Sequence, residues 1–273
     1  MKKPIALFLA FWLSVFSIIS LSVNASDLSL MRMGNTTTGS AALEEPTFPT
    51  VGGVTCRYKA NSLALSDGNT VATWEDETAS NFDLTQGTEA SKPVYRAAPT
   101  GFNGWPALEF DTVAKMARAG AETDYVSVGA STVYVVFRVD THVADTGSPW
   151  TNPGLWHIGV RQGLHTYTDT LQSFNHDGSN DTAITTTISE DTTYLGILKH
   201  EGGNISVAIN GGAFTDTASG NLAGGNGDIS VGAAYSTNTV QGWISEVVVS
   251  NEAHDSTELA DMRTYFNTKY MIY

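Results

Sequence analysis

The sequence predicts an all-β protein in which two antiparallel sheets pack as a β-sandwich, with one helix at the C-terminus. Three observations lead to this fold class. From about Gly53 onward, short runs rich in Val, Ile, Phe and Tyr alternate with Gly, Asn and Asp, which is the pattern of strands separated by turns. Several of these runs alternate with a period of two, as half-buried strands do. Only one amphipathic helical pattern is present, which excludes a helical bundle.

The first 25 residues have the pattern of a secretory signal peptide. Lys2 and Lys3 precede an apolar run over residues 5–23, and Val23 and Ala25 supply the small residues that signal peptidase requires. We therefore expect cleavage after Ala25 and export, to the cell surface, the extracellular medium or a periplasm, without membrane attachment afterwards. The alternative is an uncleaved anchor, because the apolar run approaches the ~20 residues that span a bilayer.

Two further segments complete the expected domain plan. Residues 26–52 are rich in Thr, Ser and Gly, contain Pro46 and Pro49 and show no sustained periodicity, so they are predicted to be a linker or an N-terminal arm. Residues 53–273 are predicted to form one β-sandwich domain. Removal of the signal peptide leaves 273 − 25 = 248 residues, which is ample for one large all-β domain.

Charge and cysteine content exclude some partners and one kind of cross-link. The chain has 28 acidic and 14 basic residues and a net charge of −14, which argues against nucleic acid and anionic lipid as ligands because phosphate binding needs clustered Lys and Arg. Cys56 is the single cysteine, so no intramolecular disulfide forms. In the run Val54-Thr55-Cys56-Arg57-Tyr58 it is interpreted as a small, buried apolar residue with no nucleophilic role.

The clearest strand is predicted at residues 133–139. Val133, Val135, Phe137 and Val139 fall on one face, and Tyr134, Val136 and Arg138 on the other. Further strands are predicted at 71–74, 107–110, 125–128, 155–160, 184–188, 194–198, 205–209, 229–231 and 243–249. Asn210-Gly211 after the strand at 205–209 predicts a type I′ hairpin turn, because both central residues of that turn need positive φ.

The one predicted helix covers residues 256–269. Asp255 is placed to cap it and Glu258 to complete a capping box. Leu259, Met262, Phe266 and Tyr270 follow at steps of three and four residues, so they share one face. We expect this face to lie against the sandwich.

Five ordered pieces of the chain carry a family resemblance. They are residues 57–69, residues 71–76, the run Asn-Gly-Trp-Pro-Ala-Leu-Glu-Phe-Asp at 103–111, the strand with Asn-Gly at 205–211, and residues 241–247 with the helix end at 265–270. Together they resemble the concanavalin A-like lectin/glucanase superfamily, in particular its laminin-G-like (LamG) domains of the bacterial and viral type. The resemblance implies a concanavalin A-like jelly roll. Residues 77–81 and 140–182 depart from the family pattern, and because loops set the ligand of such domains, the resemblance implies little about specificity.

The acidic cluster after the strand at 71–74 does not have the spacing of a catalytic pair. Glycosidases need two carboxylates on one face, and the laminarinase-like members of this fold use a Glu-x-Asp-x-x-Glu strand. Here Glu75, Asp76 and Glu77 are contiguous, so Asp76 faces away from the other two. Residues 161–167 contain the Arg, Gln, His and Tyr types used by alginate-lyase relatives, but not in their strand motifs. No catalytic residue is predicted.

A structural calcium ion is a second use for the acids. Asp67, Asn69, Asp76 and Asp111 lie in the family-like loops and offer the oxygen ligands that calcium prefers. The alternative is that these side chains cap turns of their own backbone. The histidines show no zinc spacing.

The candidate ligand contacts lie in the unmatched region 140–182 and near residue 235, which we interpret as loops. They are Trp150, Trp156, Arg161, His165, Tyr167 and Tyr235. Aromatic faces stack on sugar rings, and the polar groups suit sugar hydroxyls. Trp74 and Trp243 lie in predicted strands and are assigned to the core.

These observations favour a noncatalytic exported module that binds a carbohydrate or a cell-surface ligand. One alternative is a structural protein of an appendage, coat or virion, whose partners are copies of itself or another surface protein. The other is a polysaccharide lyase or hydrolase of the same fold.

Overall fold

The computed structural model describes residues 43–142, 154–158, 162–179, 181–222, 227–233 and 239–273, and these residues form two eight-stranded antiparallel sheets that pack as a sandwich. In chain order the strands are β1 (Val54–Lys59), β2 (Thr73–Trp74), β3 (Leu84–Thr85), β4 (Val94–Arg96), β5 (Ala107–Phe110), β6 (Met116–Arg118), β7 (Ala130–Thr141), β8 (Gly154–Ile158), β9 (Gln162–Tyr167), β10 (Thr170–His176), β11 (Asp181–Thr187), β12 (Thr193–Glu201), β13 (Asn204–Ile209), β14 (Thr215–Ala218), β15 (Ile229–Val231) and β16 (Gln241–Ser250), followed by helix α1 (Ser256–Tyr270). Three short 3-10 turns lie at Ala60–Ser62, Glu89–Ser91 and Glu122–Asp124. The predicted fold class is confirmed.

The two sheets use strands from all parts of the chain. Sheet A has the order β14-β13-β12-β7-β16-β5-β4, with β1 also paired to β16; sheet B has the order β11-β10-β9-β8-β15-β6-β3-β2. Consecutive hairpins build one side of each sheet. On the other side the chain crosses between the sheets, from β5 to β6 and from β15 to β16. No helix of the described part of the chain is long and apolar enough to cross a membrane.

Strand β7 shows why the sandwich has a second apolar layer. Its alternation is as predicted: Val133, Val135, Phe137 and Val139 belong to the core between the sheets, whereas Tyr134 and Val136 belong to a second core on the outer face of sheet A. A strand that is apolar on both faces needs a cover on each side. Helix α1 supplies the outer cover.

Helix α1 forms where the sequence predicts it and ends one residue later, at Tyr270. Asp255 accepts hydrogen bonds from the Thr257 and Glu258 amides at 2.8 and 2.9 Å, and Glu258 accepts one from the Asp255 amide at 3.0 Å. The predicted capping box is thus present. The four predicted face residues, Leu259, Met262, Phe266 and Tyr270, are all buried in the second core.

Three burial predictions can be compared with the structure. Cys56 is fully buried and unpaired, and burial raises the pKa of its thiol to about 12, so it is an inert core residue as predicted. Trp74 is also fully buried in the core between the sheets. Trp243 is only half-buried and packs at the margin of the second core.

The interpretation of residues 140–182 as loops is wrong for most of the described part of that region. It contains β8, which corresponds to the strand predicted at 155–160, together with β9 and β10, which were not predicted, and β11 begins at its end. Polar residues at inward positions hid β9 and β10: Gln162 and Asn175 are cross-strand neighbours, both buried, and the hydroxyl of Ser131 on sheet A donates to Gln162 Oε1 at 3.0 Å. The strand predicted at 125–128 is also wrong, since only an isolated bridge at Ser127 forms there.

The hairpin turn after β13 differs from the predicted type I′. Asn210 has φ +54°, but Gly211 does not adopt positive φ. The tight turn with two positive φ values lies at Gly202-Gly203 instead, with φ +57° and +80°, between β12 and β13. Asn210 is used differently: its Oδ1 accepts from the Leu195 amide at 3.0 Å.

A buried ion cluster lies between helix α1 and sheet A. The Glu246 carboxylate, fully buried in β16, accepts from Arg57 Nε and from Lys269 Nζ, each at 2.8 Å. Tyr265 and Tyr270 donate to the same carboxylate at 3.0 to 3.2 Å. Each charge in this cluster is therefore paired and hydrogen-bonded, as burial of ions requires.

Residues 43–52 contact the sandwich at this ion cluster. The Glu45 carboxylate ion-pairs with Lys269 at 2.8 Å and Arg57 at 3.1 Å. The Arg57 guanidinium lies over the Phe48 ring, 3.9 Å from the ring centroid. The Gly52 amide donates to Glu258 at 2.8 Å. The compact unit of the chain accordingly begins at Leu43.

We expect Glu45 to make stability depend on pH. Burial raises the pKa of its carboxyl, but hydrogen bonding and charge from Lys269 outweigh it and lower the pKa from 4.5 to about 2. A carboxyl with a depressed folded-state pKa stabilises the protein above its unfolded pKa, near 4.5, and this contribution is lost as pH falls through about 2. The gap in urea midpoint between wild type and Glu45→Gln should therefore be smaller at pH 3 than at pH 7. An equal gap at both pH values would contradict the prediction.

Candidate functional site

Trp156 does not have the accessible position predicted for a ligand contact. It lies in β8 with its side chain fully buried, and packs in the core between the sheets beside Ile158 and Leu164. The prediction of an accessible stacking ring is therefore corrected. Three other predicted contacts, Trp150, Arg161 and Tyr235, lie outside the described residues.

His165 lies on the outer face of sheet B, where it forms part of a polar and aromatic strip. Strand alternation turns His157, His165 and Phe174 away from the core between the sheets. The His157 and His165 rings are 5.1 Å apart, and His165 stacks on Phe174 at 6.0 Å. All three side chains are buried, so His165 likewise does not present an accessible ring. Tyr167, at the end of β9, is half-buried.

The strip depends on a glycine and contains a neutral histidine. A Cβ at Gly163 would clash with His165 and would lie 2.8 Å from His157 Cδ2, so only glycine lets the two rings approach. Burial, followed by the charge of His165, lowers the pKa of His157 well below its usual 6.5. A neutral imidazole can accept or donate a hydrogen bond but carries no charge to an anionic ligand.

No carboxylate pair of the glycosidase kind lies on strands β8, β9, β10 and β15, which contain no Asp or Glu. The acids at 75–77 divide as predicted. Asp76 is buried, Glu75 is exposed, and Glu77 pairs with Lys59 at 3.3 Å.

The four predicted calcium ligands accept hydrogen bonds from backbone amides in this structure, some in their own turns and some in neighbouring segments. Asp76 accepts from the Arg57, Thr78 and Phe82 amides at 2.9 to 3.0 Å. Asp111 accepts from two amides of its own loop, Asp67 from the Ala97 amide, and Asn69 from the Ser66 amide. The described residues contain no group of three or more His, Cys, Asp or Glu side chains that could hold a metal ion, so Asp67, Asp76 and Asp111 do not meet in one. Calcium binding stays a prediction.

An open groove on the outer face of sheet A is the accessible site that the sequence analysis missed. It has a volume of about 280 Å³ and is lined by Lys199, Glu201, Asn204, Ser206, Phe214 and Asp216. Helix α1 covers Ile197 and Ala208 on this face, and two residues further along β12 and β13 the same face is uncovered. The groove is therefore the continuation of the helix-binding face beyond the helix.

The groove side chains form a cross-strand ladder. Lys199 on β12 lies opposite Ser206 on β13, and Ser206 lies opposite Asp216 on β14. Lys199 pairs with the exposed Glu201 at 2.7 Å. Phe214 borders the groove, and the Arg263 guanidinium lies 5.4 Å from its ring centroid. The sequence does show polar residues at alternate positions of this hairpin. Ordinary solvent-facing strands show the same alternation, so it did not indicate a groove.

The fold defines a β-sandwich protein, with a polar and aromatic strip on sheet B and an open groove on sheet A. Comparisons with known proteins agree on the fold alone. No model of a known protein family and no curated protein matches the sequence. Among solved structures, the chain is similar to the binding domain of Paraclostridial Mosquitocidal Protein 1, with a TM-score of 0.52 and 11% identity over 79% of this chain and 52% of that one.

Two carbohydrate-active proteins contain the same fold. Trypanosoma rangeli sialidase in complex with sialic acid gives a TM-score of 0.53 at 13% identity, over 84% of this chain and 36% of the sialidase. Domain 4 of AbnA, an extracellular GH43 arabinanase from Geobacillus stearothermophilus solved with arabinotriose, gives 0.51 at 14% identity, over 77% of this chain and 98% of that domain. The chain thus spans about half and about a third of the first two structures, and nearly all of the third.

Proposed function

We propose that this protein is an exported, noncatalytic binding module that recognises a carbohydrate, with the groove across β12, β13 and β14 as its ligand site. Membership of the laminin-G-like domains, removal of residues 1–25 and a structural calcium ion belong to the same proposal. The observation that carries it is the composition of the groove. A single open surface offers an ammonium group, carboxylates, an amide, a hydroxyl and one aromatic ring.

Carbohydrates need such a mixture because each hydroxyl both donates and accepts hydrogen bonds. Asn204 offers both functions, Asp216 accepts, and Lys199 donates. Phe214 supplies an apolar face for the C–H side of a sugar ring. An open, shallow groove is expected to bind weakly, on the order of 0.1–1 mM per site, or about −4 to −5.5 kcal/mol. Display of several copies on a surface would raise avidity without new contacts.

The comparisons support a binding role because solved structures with a similar fold include binding domains. One similar structure is the binding domain of a toxin, and another is a domain of an arabinanase bound to arabinotriose. The similarity to a sialidase favours the enzymatic alternative. Against catalysis by a carboxylate pair stands the lack of Asp and Glu on the described strands β8, β9, β10 and β15.

We expect Asn204→Ala and Asp216→Ala each to weaken carbohydrate binding about five- to tenfold, because each removes about 1 kcal/mol of hydrogen bonding. Both side chains are exposed, so the melting temperature should not change. A glycan array identifies the ligand, and titration calorimetry of wild type and variants gives the affinities. The matched control is Glu75→Ala, an exposed acid that does not line the groove.

Three results would count against the proposal. An array with no retained glycan removes carbohydrate as the ligand, and self-association in light scattering would then favour the structural alternative. Unchanged affinity in both variants removes the groove as the site. Release of shortened products from a bound polysaccharide would show an enzyme.

A further inference from the structure

Near the N-terminal end of the described chain, the carboxylate of Glu45 lies among three basic side chains. The protein has only 14 basic residues against 28 acidic ones, yet Arg57, Lys59 and Lys269 converge on Glu45. Lys269 is fully buried, and the side chains of the other two are about one-tenth exposed.

We propose that Arg57, Lys59, Asn61, Tyr265 and Lys269 form a carboxylate-binding site that Glu45 occupies in cis, and that a free carboxylate takes the same place when Glu45 leaves. The site is separate from the groove on β12–β14, so it does not depend on the proposed carbohydrate function.

The hydrogen bonds show that the site is built for a carboxylate. Glu45 Oε1 accepts from Lys269 Nζ at 2.8 Å and Arg57 Nη2 at 3.1 Å, and it lies 3.0 Å from the Tyr265 hydroxyl, whose one hydrogen is shared between Glu45 and Glu246. Glu45 Oε2 accepts from Asn61 Nδ2 at 3.0 Å and Lys59 Nζ at 3.2 Å. These partners fill the roughly four accepting sites of a carboxylate. Charge-assisted bonds of this kind are the strong ones.

The charge balance of the cluster requires an anion in this position. Three cations, Arg57, Lys59 and Lys269, face three carboxylates, those of Glu45, Glu77 and Glu246. Loss of Glu45 leaves one cation in excess, and part of that charge is buried with Lys269 and Arg57. An uncompensated buried charge is costly, so the emptied site should attract a small monoanion that can accept several hydrogen bonds.

The site is reachable from solvent. A cleft of about 330 Å³ runs along residues 43–47 and is also lined by Asn103, Trp105, Thr268 and Lys269. Glu45 itself is 27% exposed at its side chain. The segment that carries it has no regular secondary structure, so residues 43–47 can leave without breaking a strand pairing.

The test is chemical rescue of a cavity variant of the full chain. Glu45→Ala removes the carboxylate and leaves its five polar partners in place. We expect sodium acetate to raise the melting temperature of this variant by several degrees more than sodium chloride at equal ionic strength. The acetate effect should saturate, as binding at one site does. The matched control is Glu44→Ala, because Glu44 is the exposed neighbour on the same segment; this variant and the wild type should respond alike to the two salts.

Each outcome decides the question. A variant that folds only in acetate supports the site as strongly as a graded rise does. Equal effects of acetate and chloride on Glu45→Ala overturn it, as does an acetate effect of the same size in wild type or Glu44→Ala. If Glu45→Ala folds in neither salt, Glu45→Ser provides the same comparison with a smaller loss of polarity, and no acetate-specific gain in Glu45→Ser overturns the proposal.

Discussion

Replacing Glu246 by Gln is expected to lower the free energy of unfolding by about 3–5 kcal/mol, the usual cost of breaking a buried ion pair by removing one partner. The substitution keeps the size of the side chain and removes its charge. Lys269, which is fully buried, and Arg57 then keep only Glu45 as a carboxylate partner. The Gln side chain also has an NH2 group in place of one carboxylate oxygen. That group cannot accept the hydrogen bonds that the oxygen now accepts from Arg57, Lys269, Tyr265 or Tyr270.

Urea denaturation followed by tryptophan fluorescence measures this effect. The matched control is Glu89→Gln, which neutralises an exposed acid paired with Lys92; exposed pairs contribute little, so its urea midpoint should equal that of wild type. A Glu246→Gln midpoint equal to that of wild type would show that the cluster does not hold the helix against sheet A.

Replacing Trp156 by Ala is expected to cost about 3–5 kcal/mol, because it removes a large side chain from a closed core and leaves a cavity. Trp156 is fully buried, in contact with the apolar layer to which Ile158, Leu164 and Val231 also belong. This expectation is opposite to the one that follows from a loop position, in which the same substitution would leave stability unchanged and reduce ligand binding.

The contrast with Tyr167→Ala makes the test specific. Tyr167 is half-buried at the end of β9, so its loss should cost clearly less. Thermal unfolding of both variants and wild type measures the difference, with Glu75→Ala as the unchanged reference. If Trp156→Ala keeps the wild-type melting temperature, the ring is not part of the core and its assignment to β8 is wrong.

Apolar alternation accounts for the elements that the sequence predicted well. β5 and β15 have the predicted bounds. β7, β8, β12, β13 and β16 were predicted in part or nearly whole, and α1 was predicted to within one residue. In each of these the outward or inward positions carry large apolar residues. β9 and β10 were missed because their inward positions include Gln162, Ser173 and Asn175, and a polar residue at a buried position cancels the pattern.

The candidate site was less predictable than the fold because accessibility is a tertiary property. Trp and His residues in region 140–182 suggested a ligand surface, but their strands turn Trp156 into the core and bury His165 on the outer face of sheet B. Ordinary polar positions of a hairpin became a groove because helix α1 stops short of them. Neither outcome follows from local residue types.

By itself, the sequence determined the all-β class, the C-terminal helix with its capping box, the alternation of side chains along β7 and the buried state of Cys56. These depend on periodicity, turn chemistry and capping, which act over a few residues. Only the tertiary structure decided which residues meet across long separations. Glu45 and Arg57 lie near the start of the described chain and Glu246 and Lys269 near its end, and no local pattern marks them. Their meeting depends on β1 pairing with β16 and on the side of sheet A that helix α1 covers.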